Sequence, residues 1–127
     1  RPYYEFIIVD LAPGLSDIAI AAIENSDIVN LCACVDIVSL KNVKTSLGIL
    51  DALRQREKTE LILNRAASGI ISKSDFEKIL SLTPKICLPE DKEVLSSINK
   101  GVPFVTGAPR SVVAKAIAAY VNTLCQE

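Results

Sequence analysis

The sequence predicts an α/β fold, one layer of parallel strands flanked by helices, and three observations carry that reading. Short β-branched apolar runs alternate with longer segments of helical period, the pattern of βαβ units. The first run, Phe6-Ile7-Ile8-Val9, has four apolar residues in succession, as suits a strand covered on both faces. Each run also ends in polar residues: Asp10, Asp36, Asn64-Arg65 and Pro89-Glu90-Asp91. In a parallel sheet those ends share one edge, the edge outside which α/β folds bind ligands.

Taken in order, Phe6 to Val9 is the first expected strand, and Asp10 stands where it runs out before the turn at Pro13-Gly14. A carboxylate there reads either as a magnesium or water holder or as a cap on the turn into the next helix. Ser16 or Asp17 caps a short helix through Ile18, Ile20 and Ile23, which ends near Asn25. Ile28 to Val35 is the second strand, closed by Asp36. Ser39 then caps a long helix in which Leu40, Val43, Leu47 and Leu50 recur at helical spacing. The third strand is Glu60 to Leu63, stopping at Asn64-Arg65. A loop over 66–71 follows, and Ser72 to Asp75 has capping-box spacing ahead of a helix through Phe76, Ile79 and Leu80. Lys85 to Leu88 is the fourth strand. Asp91 caps a helix with Val94, Leu95 and Ile98, and Gly101 suits its left-handed stop. Two prolines and a glycine make 102–109 a loop, and Ser111 opens the last helix.

The 127 residues, 50% hydrophobic and 23% charged, fit one globular domain with its own core. A net charge of -1 gives no general electrostatic drive toward nucleic acid or an anionic membrane. No apolar run reaches the roughly 18 to 20 residues of a membrane span, and no basic-then-apolar leader opens the sequence, so the cytoplasm is the expected compartment. Cys32, Cys34, Cys87 and Cys125 lack zinc spacing and read as buried small hydrophobes. With no histidine in the chain, Ser-His-Asp and Cys-His catalysis are excluded. The sequence also holds no G-x-S-x-G, no G-x-G-x-x-G and no G-x-x-x-x-G-K-[ST].

Four stretches in order resemble one family. Phe6-Ile7-Ile8-Val9-Asp10 with Pro13-Gly14-Leu15-Ser16-Asp17 is similar to the Walker B and switch II segment of the ParA/MinD-type P-loop ATPases. Asp36 to Val43, Leu61 to Arg65, and Leu88 to Asp91 leading into Ile98 to Pro103 and Ala108 to Ser111 agree with it. The likeness looks nearest to the CpaE/TadZ branch associated with pilus assembly. It implies a three-layer, P-loop NTPase-like fold that binds ATP or ADP with Mg2+. Asp10 would match the Walker B carboxylate that orients magnesium through its water shell, and Pro13 and Gly14 would belong to the switch that senses the γ-phosphate. Asn64 would read adenine with Arg65 beside the base. Pro89, Glu90 and Asp91 would lie in the loop closing over it. Asp36 and the start of its helix would face a second subunit, since these ATPases dimerise around their nucleotides.

The family's defining loop, K-G-G-x-G-K-[ST], precedes Walker B and does not occur between Arg1 and Asp10. The expectation is therefore that 1–127 is the carboxyl-terminal portion of a single ATPase domain, truncated before its first strand and phosphate loop. Such a portion alone should not hydrolyse ATP, because positioned phosphate donors supply most of that catalysis. The resemblance implies pilus, secretion or partition proteins as partners, with recruitment by them to the cell pole or inner membrane. A non-hydrolysing localisation scaffold is the alternative role. A receiver-like phosphoacceptor fits poorly, because Lys85 opens its strand instead of closing it. Ser111 to Glu127 carries the single lysine Lys115, so its apolar face reads as core packing and not as a membrane anchor.

Overall fold

The computed structural model describes residues 3–66 and 71–126. Its strands β1 (Val29–Cys34), β2 (Thr59–Asn64) and β3 (Ile86–Cys87) form a parallel sheet in the order β1-β2-β3. The register pairs Asn30 with Glu60, Cys32 with Ile62 and Cys34 with Asn64, and Leu63 with Cys87 across the next ladder. The helices are α1 (Asp17–Glu24), α2 (Ile37–Ala52), α3 (Lys73–Leu80), α4 (Lys92–Lys100), α5 (Phe104–Gly107) and α6 (Val112–Leu124). No helix among the described residues is long and apolar enough to cross a membrane.

Strand alternation sorts the side chains into two faces. Ala33, Leu61 and Leu63 join Leu40, Val43, Leu47 and Leu50 of α2 and Phe76 and Leu80 of α3 in one core, to which α1 adds Ile23. The opposite face, carrying Asn30, Cys32 and Glu60, is met by α6 through Tyr120. The expected α/β layering is therefore present, with one face much more heavily packed than the other.

Most helix starts follow the sequence chemistry. Ser16, Asp91 and Ser111 accept from the amides of Ala19, Glu93 and Ala114. The α3 capping box closes both ways, the Asp75 amide donating to Ser72 Oγ at 3.2 Å and the Ser72 amide to Asp75 Oδ2 at 2.8 Å. Aspartate thus substitutes for the longer Glu or Gln of that motif. Among the described residues two glycines take positive φ, Gly14 at 106° in the Pro13-Gly14 turn and Gly101 at 64° at the end of α4.

Three expectations are corrected. Phe6 to Val9 is no strand: it pairs with none of the three, and its side chains are exposed, Ile8 by 93%. An apolar run sets what a segment gains by burial, but a strand also needs a neighbour for its backbone groups, and none is in place here. The cap of α2 is Asp36 and not Ser39. Extended at φ -141°, Asp36 takes the Ser39 amide on Oδ1 at 2.7 Å and the Ser39 hydroxyl on Oδ2 at 2.9 Å, so the helix starts one turn earlier. α4 forms as expected from its Asp91 cap, and within it Ser97 is buried while Leu95 and Ile98 are 64% and 69% exposed. Within the expected loop 102–109, Phe104–Gly107 closes one helical turn, since Pro103 sits before its first amide and Pro109 beyond its last. The other expected loop, over 66–71, lies outside the described residues except at its ends.

The caps at Asp36 and Asp75 make stability depend on pH. The Ser39 amide chiefly holds the Asp36 carboxyl below its ordinary value, and the Ser72 amide does the same for Asp75. A depressed folded value contributes stability that is present above the unfolded value of about 3.9 and is lost as pH falls through the folded one. The thermal midpoint should therefore drop between about pH 5 and pH 3. The Asp36→Asn, Asp75→Asn double variant should flatten that slope in melts followed by circular dichroism.

Candidate functional site

The parallel register brings three of the four expected strand ends to one edge. Asn64 ends β2 opposite Cys34, two residues before Asp36. The Leu88 amide donates to the Leu63 carbonyl at 2.7 Å, and the Ala66 amide donates to the Leu88 carbonyl at 2.9 Å. Asn64-Arg65 is thereby laced to the chain that continues into Pro89, Glu90 and Asp91. Asp36, Asn64, Arg65 and Glu90 are exposed on this edge, while Pro89 and Asp91 are half-buried.

Local chemistry already occupies part of the set. Asn64 Oδ1 accepts from the Arg65 amide at 3.0 Å. The two donors of the Asn64 NH2 group are the hydrogen-bonding capacity that this contact does not use. Arg65 has φ 51°, a left-handed conformation that costs a non-glycine residue about 1 to 2 kcal/mol and kinks the chain where β2 ends. The spacing of residues gave no sign of that kink. The carboxylates of Asp36 and Asp91 cap α2 and α4, Asp91 Oδ1 taking the Glu93 amide at 2.9 Å. Beside this edge, where α4 and α6 begin, an open hollow of about 370 Å³ is lined by Glu93 and by the turn from Gly107 to Ser111, with Arg110 on its wall.

Asp10 stands apart from the other three ends. Together with Pro13 and Gly14 it is exposed, in a segment outside the sheet. Its charge is felt at Cys32 of β1, where burial first and Asp10 second push the thiol above its ordinary value. Among the described residues no group of three or more Cys, Asp or Glu side chains could hold a metal ion unaided. A lone carboxylate is nevertheless compatible with magnesium, which keeps several waters and takes one or two carboxylates alongside substrate phosphates. The cysteines are free thiols but not the buried ones expected: Cys32 and Cys125 are exposed and the other two half-buried, because the sheet face and helix end that carry them are only partly covered.

This fold is shared with solved ParA and MinD proteins. A ParA family ATPase from Chlorobium tepidum TLS superposes with a TM-score of 0.86 at 23% identity, over 94% of this chain and 50% of that one. MinD from Aquifex aeolicus, a cell division protein, gives 0.78 at 20% identity, over 90% of this chain and 50% of that one. In sequence, the chloroplastic septum site-determining protein MinD homolog of Arabidopsis thaliana is 30% identical over 111 residues, 83% of this chain and 34% of that protein. MinD of Helicobacter pylori is 26% identical over 117 residues, 83% of this chain and 44% of its own length. Homology to these proteins supports the ParA/MinD family, and the chain spans less than half the length of these curated relatives. No protein-family model matches the chain.

Proposed function

We propose that the chain is the part of a ParA/MinD-type positioning ATPase that supplies the Walker B carboxylate, the adenine side of the nucleotide site and part of the dimer face. The convergence of Asn64-Arg65 with Pro89 to Asp91 at the carboxyl edge of a ParA/MinD-like sheet carries this reading. In it the NH2 of Asn64 meets the acceptor nitrogens of adenine, the Arg65 guanidinium lies along the base, and Pro89, Glu90 and Asp91 border its far side. Asp10 holds a water of the magnesium ion, with Pro13 and Gly14 as the turn that responds to the γ-phosphate. The ion, when bound, would neutralise phosphate charge. The start of α2, with Ile37 and Val38 both about two-thirds exposed at 66% and 69%, lies on the face offered to a second subunit. ATP or ADP with Mg2+ are the ligands, and assignment to the CpaE/TadZ branch, with pilus or secretion proteins as partners at the pole or inner membrane, is the finer part of the proposal.

The test is nucleotide binding to the complete protein. Asn64→Ala should weaken ATP binding by roughly tenfold and narrow its preference over GTP, because a base-reading amide is lost. Calorimetry giving the same affinity and the same preference for both proteins would refute the adenine assignment.

A further inference from the structure

A second polar cluster lies at the other end of the sheet, away from the candidate nucleotide edge. Asn30 and Glu60 are register partners near the amino ends of β1 and β2. Lys85, just before β3, donates its amide to the Leu61 carbonyl at 2.9 Å, and its Nζ stands 2.9 Å from Glu60 Oε1. From α6, the Tyr120 hydroxyl lies 2.7 Å from Glu60 Oε2 and 2.8 Å from Asn30 Oδ1.

A phenol carries one hydrogen, so it cannot donate to both oxygens. The carboxylate accepts only and is charged, so the phenol donates to Glu60, and the Asn30 amide turns to present its NH2 to the phenolic oxygen. The electrostatics agree: burial first, and then Glu60, push the Tyr120 phenol up to about 12, which keeps it a donor across the physiological range. Burial raises the Glu60 carboxyl, but its bonds from Tyr120 and Lys85 outweigh that and hold it below the usual carboxylate range. One side chain of α6 is thus joined directly to groups from the starts of β1 and β2, and through Glu60 to Lys85 just before β3.

The rest of α6 is unevenly held. Val113 and Ala114, in its first turn, are 4% and 2% exposed. Past them Ala118, Ala119 and Val121 face solvent, and Ile117 and Leu124 are half-buried. We propose that α6 is a strap in two parts, an amino-terminal turn fixed in the core and a distal half, Ile117 to Leu124, latched across the amino end of the sheet by Tyr120. Opening the latch frees the distal half of α6 from Asn30 and Glu60 without disturbing the core beneath α2 and α3, or the carboxyl edge with Asn64 and Pro89.

Hydrogen exchange on the complete protein tests the latch. Tyr120→Phe removes one hydroxyl and keeps the ring, and amides of 117–124 should exchange roughly tenfold faster while those of α2 and β2 keep their rates. Glu60→Leu should loosen the same eight residues, and adding it to Tyr120→Phe should bring little further change, since both open one contact. Unchanged exchange in Tyr120→Phe would overturn the proposal, as would an equal rise through Val113, Ala114 and β2, or additive effects in the double variant.

Discussion

Phe76→Ala should cost about 3 to 5 kcal/mol of folding stability. Phe76 is fully buried in α3, within the cluster that unites Leu61 and Leu63 of β2 with Leu40, Val43, Leu47 and Leu50 of α2. Truncating it removes an aromatic ring's transfer energy and leaves a cavity that Leu61 and Leu63, both 0% exposed and fixed by the ladder, cannot collapse to fill. A domain is stable by only about 5 to 15 kcal/mol, so the loss is a large fraction of the total. Ile79→Ala, on the same helix but 49% exposed, should cost less than about 1 kcal/mol. Urea melts of the two variants separate burial from helix propensity, which the changes share in direction. Equal losses at both positions would mean that α3 is not anchored through Phe76.

The part of the fold legible in the sequence is the part fixed by local chemistry. Ser16, Ser72, Asp91 and Ser111 each satisfy amides within three residues of themselves, so the starts of α1, α3, α4 and α6 need no knowledge of the partner elements. Gly101 ends α4 for the same kind of reason. Errors arose where the answer depended on a neighbour. Phe6 to Val9 is apolar whether or not a strand lies alongside. The misplaced α2 cap shows a subtler case: Asp36 and Ser39 are both good caps three residues apart, and they hydrogen-bond to each other. Only the extended backbone at Asp36 decides between them.

The candidate site divides in the same way. That Asp36, Asn64 and Pro89 share an edge follows from parallel strands, and parallel strands follow from the alternation of runs. The left-handed backbone at Arg65 and the inward hook of the Asn64 oxygen onto the Arg65 amide could not be read from residue types, since Asn-Arg fits many turns. Nor could the Tyr120 latch, whose partners are 60 and 90 residues away in sequence.

On the proposed reading, Asp10→Asn in the complete protein should lower ATP turnover by about a hundredfold, near 2.7 kcal/mol of barrier, while changing nucleotide affinity by less than about threefold. The substitution keeps the size of the side chain and removes its charge. Asp10 is exposed at the head of the Pro13-Gly14 turn, with no capping duty of the kind that occupies Asp36 and Asp91, so its carboxylate remains available to a magnesium-bound water. An interaction made through a water shell contributes little to holding the nucleotide, which base and phosphate contacts secure, and more to fixing charge where the γ-phosphate is attacked. The expected signature is therefore a fall in kcat with a nearly constant Kd, and circular dichroism should show an unchanged fold because the side chain is solvent-exposed. Unaltered turnover across a magnesium titration would remove Asp10 from the site. A complete protein that binds ATP tightly and yet shows no turnover before any substitution would favour the localisation scaffold, with nucleotide serving to set its conformation instead of being consumed.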